Sequence, residues 1–364
     1  MPPRRDGQGG PGRPQHSGIN PPSAFTLCSR KPKGGRVGLT TLADLATPMA
    51  VRVAATLGVA DHLVAGRRTA AELAAAAGAH PDALDRLLRH LVGVGLFTRD
   101  TGSGRYGLTA LGEQLRDDHP AGKRRWLDLT GAVGRGDLSF VELLHSVRTG
   151  EPAYPVRHGA ALWEDLASDP ERSASFDALM SHHVAVEHAR LPQAYDWAAL
   201  GHVVDVGGGS GGLLAHLLAA HPELRGTVVD LPGPAAAARR LFADRGLSGR
   251  ADVAPGSFFE RLPAGAGGYV LSAVLHDWSD DPATALLCRC AEAAGAKGAV
   301  LVIEAIGRDG ESPNTAMDLR MLAYNGGKER GLAEIRVLGE RAGLAVRGVH
   351  PAGHLSIIEL AASD

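Results

Sequence analysis

Residues Val203–Leu214 read VVDVGGGSGGLL. Val203, Val204 and Val206 form a short β-branched apolar run, the pattern of a strand buried on both faces of a parallel sheet. The run enters Gly207, Gly208 and Gly209 directly, and after Ser210, Gly211 and Gly212 the pattern turns helical, with Leu213, Leu214, Leu217 and Leu218 on one side. Strand, glycine turn and helix in this order build a nucleotide site. Glycine lets the backbone turn tightly and lets a ligand approach where a Cβ would stand. The helix N-terminus beyond it offers free N–H groups.

Toward the C-terminus, strand and helix signals alternate. Strand-like runs occur at Gly226–Leu231, Ala251–Phe259, Gly268–Leu275 and Ala299–Ala305, and helical stretches at Ala235–Arg245, Pro282–Ala294 and Ala333–Ala342. Two last strands, Leu344–His350 and Leu355–Ala361, face each other across Pro351–His354, which makes seven strands in all. The alternation predicts an α/β, doubly wound, Rossmann-like sheet over 201–364. The closing link is too short for a parallel crossover, so one strand is antiparallel.

Toward the N-terminus, residues 117–200 read as a mostly helical connector containing Trp163, Phe176 and Met180; Phe176 and Met180, four apart, share a helix face. Residues 37–116 begin with Leu42, Leu45, Met49, Val53, Leu57 and Leu63 at helical spacing, with Pro48 set to kink or restart the helix. Two apolar helices at this end are consistent with a dimer contact or with ordinary domain core. Thr69–Glu72 is a capping box, a helix follows Pro81, and Leu96–Thr98 and Arg105–Leu108 flank a turn-rich hairpin. Helices followed by a hairpin make a winged-helix-like unit, a shape also used on DNA. Its candidate recognition helix carries Asp82, Asp85, Arg86, Arg89 and His90, a balance of charge that does not track phosphates. Residues 1–36, rich in Pro, Gly, Arg and Ser, read as a disordered leader.

Composition removes whole classes of function. The 364 residues carry a formal net charge of −2, so no global field favours nucleic acid or an anionic membrane. The three cysteines, Cys28, Cys288 and Cys290, have neither disulfide-framework nor zinc-finger spacing. His182, His183 and His188 lack the order of a metal-binding motif, and no metal is expected. No apolar run approaches a membrane span and no apolar signal core is present, so the default is a cytoplasmic enzyme.

Gly207, Gly209 and Gly212 satisfy G-x-G-x-x-G, and Asp230 closes the second strand 18 residues after Gly212. That spacing also suits the ribose-binding acid of a dinucleotide enzyme. Two features point elsewhere: the closing hairpin, and Ser272-Ala-Val-Leu-His276-Asp277-Trp278, which brings a histidine to the ligand-binding edge of the sheet. With them the chain resembles the S-adenosylmethionine-dependent aromatic O-methyltransferases. DVGGGSGG, VVDLP, GSFF, LHDWSDD and GGKER stand in that family's order from Leu39 to the C-terminus. Among subgroups it looks most like the bacterial naphthoate O-methyltransferases of neocarzinostatin-type antibiotic pathways.

The resemblance implies a methyltransferase sheet, an N-terminal dimerisation domain, a homodimer, S-adenosylmethionine as cofactor and a small aromatic acceptor such as a hydroxynaphthoic acid. A phenol with a pKa near ~10 is mostly protonated at neutral pH, and a histidine with an unperturbed pKa of about 6.5 is a suitable base. His276 takes that role, flanked by Glu304 and Glu329. An acid that ends an apolar strand, as Glu304 does, is costly unless paired. For the cofactor the resemblance implies Asp230 on the ribose, Gly207 beside the methionine moiety, Gly256, Ser257 and Phe258 by the adenine, and Ser272 and Met180 nearby. Ser257 stands where relatives commonly have Asp, and Ser272 where plant enzymes have lysine. Trp163, Phe176, Asp277, Arg320 and Tyr324 are expected to line the acceptor pocket. Arg320 is read either as a partner for a substrate carboxylate or as an ion pair with Asp318. Trp278 is read as a packing residue. Two other functions compete: a hydroxylase or decarboxylase of the same fold acting on anthracyclines, and a winged-helix regulator that senses S-adenosylmethionine.

Overall fold

The computed structural model describes residues 38–307 and 309–363, and only the backbone of 181–187. The expected leader, Cys28 and the side chains of His182 and His183 lie outside the described residues. At the N-terminal end, short helices Leu39–Leu42, Ala46–Thr56 and Val59–Val64 precede helices Ala70–Ala77 and Pro81–Gly93. The Thr69 cap is closed both ways: Glu72 N–H donates to the hydroxyl at 3.2 Å, and the Thr69 N–H donates to the Glu72 carboxylate at 2.9 Å. Strands β1 (Phe97–Arg99) and β2 (Tyr106–Leu108) pair antiparallel as the wing. These elements close a core of their own around Leu63, Leu73, Leu88, Leu91 and Phe97. On the candidate recognition helix, Arg89 is taken by Asp85 at 2.9 Å, and Asp85 also accepts from the Tyr106 hydroxyl at 2.6 Å.

The second sheet contains β3 (His202–Val206), β4 (Arg225–Asp230), β5 (Ala251–Pro255), β6 (Gly268–Ser272), β7 (Ala299–Glu304), β8 (Leu344–Ala352) and β9 (Leu355–Ala362), in spatial order β5-β4-β3-β6-β7-β9-β8. β9 is antiparallel to both neighbours, and the other pairs are parallel, as the short closing link required. Side chains alternate across the sheet. Val203, Val228, Val270 and Leu301 enter one apolar layer with the helix Gly212–Ala220. Val204, Val229, Tyr269, Leu271 and Val302 enter the other, with helices Asp280–Ala294 and Leu332–Arg341. Strand order reverses between β3 and β6. A crevice therefore opens at their carboxyl ends, where open α/β sheets bind ligands.

Two expected strands are shorter than the apolar pattern. Ala251–Phe259 is strand only to Pro255, because a turn at 256–260 returns the chain. Gly268–Leu275 is strand only to Ser272, because Ala273 takes φ +52°, the one left-handed non-glycine among the described residues. Helix Thr315–Asn325 was not expected. Its outward face meets polar partners rather than a continuous apolar layer, so its periodicity is weak.

Candidate active site

Past Ala273 the chain makes a single 3₁₀ turn, Leu275–Asp277, which holds His276 over the carboxyl end of β7. Glu304, the last residue of β7, meets it from below. The His276 backbone N–H donates to Glu304 Oε1 at 3.3 Å, and Nδ1 lies 2.9 Å from Oε2. Glu329 approaches the same Nδ1 at 3.4 Å, and Asp277 lies 3.9 Å from Nε2. Glu304 and Glu329 are buried. Their acceptors hold a proton on Nδ1, so once the ring is neutral the lone pair is on Nε2. Burial alone would weaken this imidazole as a base, but the charge and hydrogen bond of Glu304, with Asp277 and Glu329, raise its pKa to about 10. Burial pushes Asp277 up to about 6 and raises Glu329 as well.

The Glu329 carboxylate accepts from Ser312 Oγ at 3.1 Å, and its backbone N–H donates to Asp318 at 3.0 Å. Asn325 donates to Asp277 at 3.3 Å. His276 Nδ1 and the nearer oxygens of Glu304 and Glu329 lie within 4.8 Å of one another, a spacing that metal ligands also show. Here that spacing is explained by hydrogen bonding around one ring.

Across the crevice, Gly207 takes φ +73°, and a Cβ there would stand 2.9 Å from the Val274 side chain and 3.5 Å from the Phe258 ring. Asp230 ends β4 and accepts from Gly209 N–H at 2.8 Å and Leu231 N–H at 2.7 Å. Each carboxylate oxygen retains a lone pair for a hydroxyl. Burial raises Asp230 despite those donors, and burial together with the Asp230 charge pushes Asp205 up to about 7. Gly256 N–H donates to the Asp230 carbonyl at 2.9 Å, which places 256–258 beside it. Phe258 packs edge-on to Trp278. Ser257 Oγ accepts from Phe259 N–H at 3.3 Å. The buried Ser272 Oγ and Asp205 Oδ2 have no protein partner. A cradle of small residues with a hydroxyl-binding acid and unmet polar atoms fits a nucleoside cofactor with a cationic centre.

A third wall comes from the connector. Trp163, on helix Leu162–Ser168, meets Phe176 edge-on at 5.8 Å, and its indole N–H is buried without a partner. Phe176 and the half-buried Met180 lie on helix Pro170–Glu187.

Tyr324 shares an apolar cluster with Trp163 and Phe176, and Arg320 joins it at Asp137. The Arg320 Nε donates to Asp137 at 2.7 Å, so its internal partner is Asp137 and not Asp318. Asp318 instead accepts the Glu329 N–H. Tyr324 is buried and donates to Asp137 at 2.6 Å, close to the Val133 carbonyl. Arg52 of the N-terminal unit completes the cluster on Asp137. Sequence reasoning named Asp318 but not its hold on the Glu329 backbone, and it missed Asp137, Asn325 and the role of Arg330. It also passed over Asp205, although an acid inside a valine run is itself a signal.

Sheet order, cradle and the acid-flanked histidine together define a Rossmann-type group-transfer enzyme with a nucleoside cofactor. The O-methyltransferase domain model matches residues 140–345 and the O-methyltransferase dimerisation domain model residues 39–117. The chain belongs to the O-methyltransferase family. It is 69% identical over 330 residues to 2,7-dihydroxy-5-methyl-1-naphthoate 7-O-methyltransferase of Streptomyces carzinostaticus, covering 91% of this chain and 99% of that protein. It is 47% identical over 324 residues to aclacinomycin 10-hydroxylase RdmB of Streptomyces purpurascens, covering 88% and 87%. Among solved structures it is similar to an O-methyltransferase (NcsB1) from neocarzinostatin biosynthesis in complex with S-adenosylmethionine and 2-hydroxy-5-methyl naphthoic acid. That match has a TM-score of 0.87 and 69% identity, over 90% of this chain and 99% of the other.

Proposed function

We propose that this protein is an S-adenosylmethionine-dependent O-methyltransferase that methylates a ring hydroxyl of a hydroxynaphthoic acid in antibiotic biosynthesis. The observation that carries this reading is His276, half-buried at the sheet's switch point with Nδ1 held by Glu304 and Glu329. Its support is the 69% identity to a naphthoate 7-O-methyltransferase over nearly that protein's whole length.

Asp230 holds the ribose hydroxyls, Gly207 admits the methionine portion, and Gly256–Phe258 border the adenine. When bound, S-adenosylmethionine supplies an electrophilic methyl group on a sulfonium. Trp163, Phe176 and Met180 wall the acceptor ring, and the free Trp163 N–H is a donor for one of its oxygens. His276 Nε2 removes the hydroxyl proton. Glu304 and Glu329 hold the ring in register and stabilise the imidazolium that forms. Because the imidazole is a stronger base than usual, proton transfer from a phenol is close to balanced.

The hydroxylase reading retains one specific support, the 47% identity to aclacinomycin 10-hydroxylase RdmB. Mass spectrometry separates the two after incubation with S-adenosylmethionine and a panel of hydroxynaphthoic acids, simple phenolic acids and anthracyclines. Gain of one CH₂ with release of S-adenosylhomocysteine is expected. Gain of one oxygen would replace methyl transfer by hydroxylation. The working unit is a homodimer, supported by the dimerisation domain and by exposed leucines on the first helices.

A further inference from the structure

Glu329 and His276 belong to different segments, and no covalent proximity keeps them together. The histidine sits on a one-turn excursion between β6 and helix Asp280–Ala294. The glutamate sits in the connection between helices Thr315–Asn325 and Leu332–Arg341. An ion-pair geometry of 3.4 Å between such segments needs something that fixes one against the other.

That something is the next residue, Arg330. Its side chain is 2% exposed, among the most deeply buried guanidinium groups of the described residues. Nη1 donates to the Leu275 carbonyl at 2.9 Å, the residue before His276, and to the Lys328 carbonyl at 3.1 Å, the residue before Glu329. Nη2 donates to the Trp278 carbonyl at 2.7 Å and to Asp280 at 2.8 Å, and Nε donates to the same Asp280 oxygen at 3.1 Å. One planar fork thus grips the histidine turn on both sides and the glutamate loop on its N-terminal side. Lys328 N–H adds a backbone bond to the His276 carbonyl at 2.9 Å. Arginine suits the task because its donors have a fixed planar spread and its charge is permanent. Lysine's three donors radiate from one nitrogen and do not reproduce the guanidinium's spread over Leu275, Lys328 and Trp278.

We propose that Arg330 is a positioning residue that sets the distance between Glu329 and His276 and thereby the basicity of the histidine. The proposal rests on His276 acting as the base. It makes no claim that Arg330 touches acceptor or cofactor.

Arg330→Lys keeps the buried charge, so it tests geometry alone. With Glu329 no longer held, His276 keeps Glu304 and Asp277 as its facing acids and loses part of the third. Its pKa falls, because less negative charge remains to stabilise the imidazolium. The expected kcat is lower by about 10²-fold, the cost typical of misplacing a catalytic group by roughly an ångström. Cofactor affinity measured by calorimetry stays within about twofold, because the Asp230 cradle is untouched.

The deciding readout is an NMR titration of His276 in ¹⁵N-histidine-labelled protein, with His276→Ala to assign the signal. It requires no turnover, so a failure of the clamp and a failure of the base assignment give different results. A lowered His276 pKa in Arg330→Lys supports the clamp, and an unchanged pKa overturns it whatever the activity does. If Arg330→Lys does not fold, Asp280→Asn reads the same clamp from its half-exposed outer end. It should shift the His276 titration in the same direction by a smaller amount, and no shift there overturns the proposal.

Discussion

At the scale of single residues, the chemistry turns on how strongly His276 holds its proton. Its folded pKa is raised, to about 10, by Glu304 first among the charges that outweigh burial. The free enzyme is therefore largely imidazolium at neutral pH. The productive pairing of neutral imidazole with neutral phenol grows as protons are removed. Values of kcat/KM should rise close to tenfold per pH unit between about pH 7 and pH 9. A profile already flat above pH 7 would contradict this. Glu304→Gln removes the largest opposing charge while keeping an acceptor for Nδ1–H. Its acid limb should move to lower pH, with a reduced plateau. Asp230→Ala acts on binding instead. It removes the carboxylate proposed to accept from two ribose hydroxyls, contacts of the charged class, each worth about 1.5–3 kcal/mol. S-adenosylmethionine should bind at least about tenfold more weakly by calorimetry, and unchanged affinity would remove the ribose assignment.

At the scale of elements, the unexpected helix Thr315–Asn325 supports much of the site. Asp318 holds the Glu329 backbone, Asn325 holds Asp277, and Arg320 and Tyr324 reach across to Asp137. Tyr324 fits there because Gly136 is bare: a Cβ at Gly136 would stand 2.5 Å from the tyrosine ring. Gly136→Ala should cost roughly 1–3 kcal/mol in urea unfolding, the usual penalty of overpacking a close contact. Full stability would show that the ring has room to move. The same helix marks where local pattern stops informing. The parallel strands were legible because Val203–Val206, apart from Asp205, and Ala299–Ile303 are apolar, as burial on both faces demands. His276 and Glu304 were legible because each follows or ends such a run. The partner of Arg320 was not, because Asp137 lies 183 residues away and only tertiary packing joins them. Strand ends were misread for a local reason. Apolar residues such as Val274 and Leu275 continue the strand pattern, but Ala273 has already turned the chain aside.

At the scale of the whole molecule, the Asp137 cluster ties three parts of the chain together: Arg52 from the N-terminal helices, Asp137 from the connector, and Arg320 and Tyr324 from the methyltransferase domain. That tie joins the helix Ala46–Thr56 to Asp137, the residue just before the segment 138–149. Exposed apolar side chains lie just before that helix and along that segment. Leu42 and Leu45 are 72% and 73% exposed just before Arg52, and Val147 is 67% exposed beyond Asp137, with Val141 and Leu144 beside it. Apolar surface gathered this way is rare on a monomer and marks an interface. A second copy related by a two-fold axis would cover both patches at once, since in such a contact each surface serves twice. Leu42→Glu with Leu45→Glu places two charges on each copy in the middle of that contact. Light scattering coupled to size exclusion should then report about half the mass of the unsubstituted protein. Circular dichroism should stay unchanged, because neither leucine contributes to the core of its own chain. A variant that keeps the mass of a dimer would move the interface away from these helices, leaving their leucines to another partner.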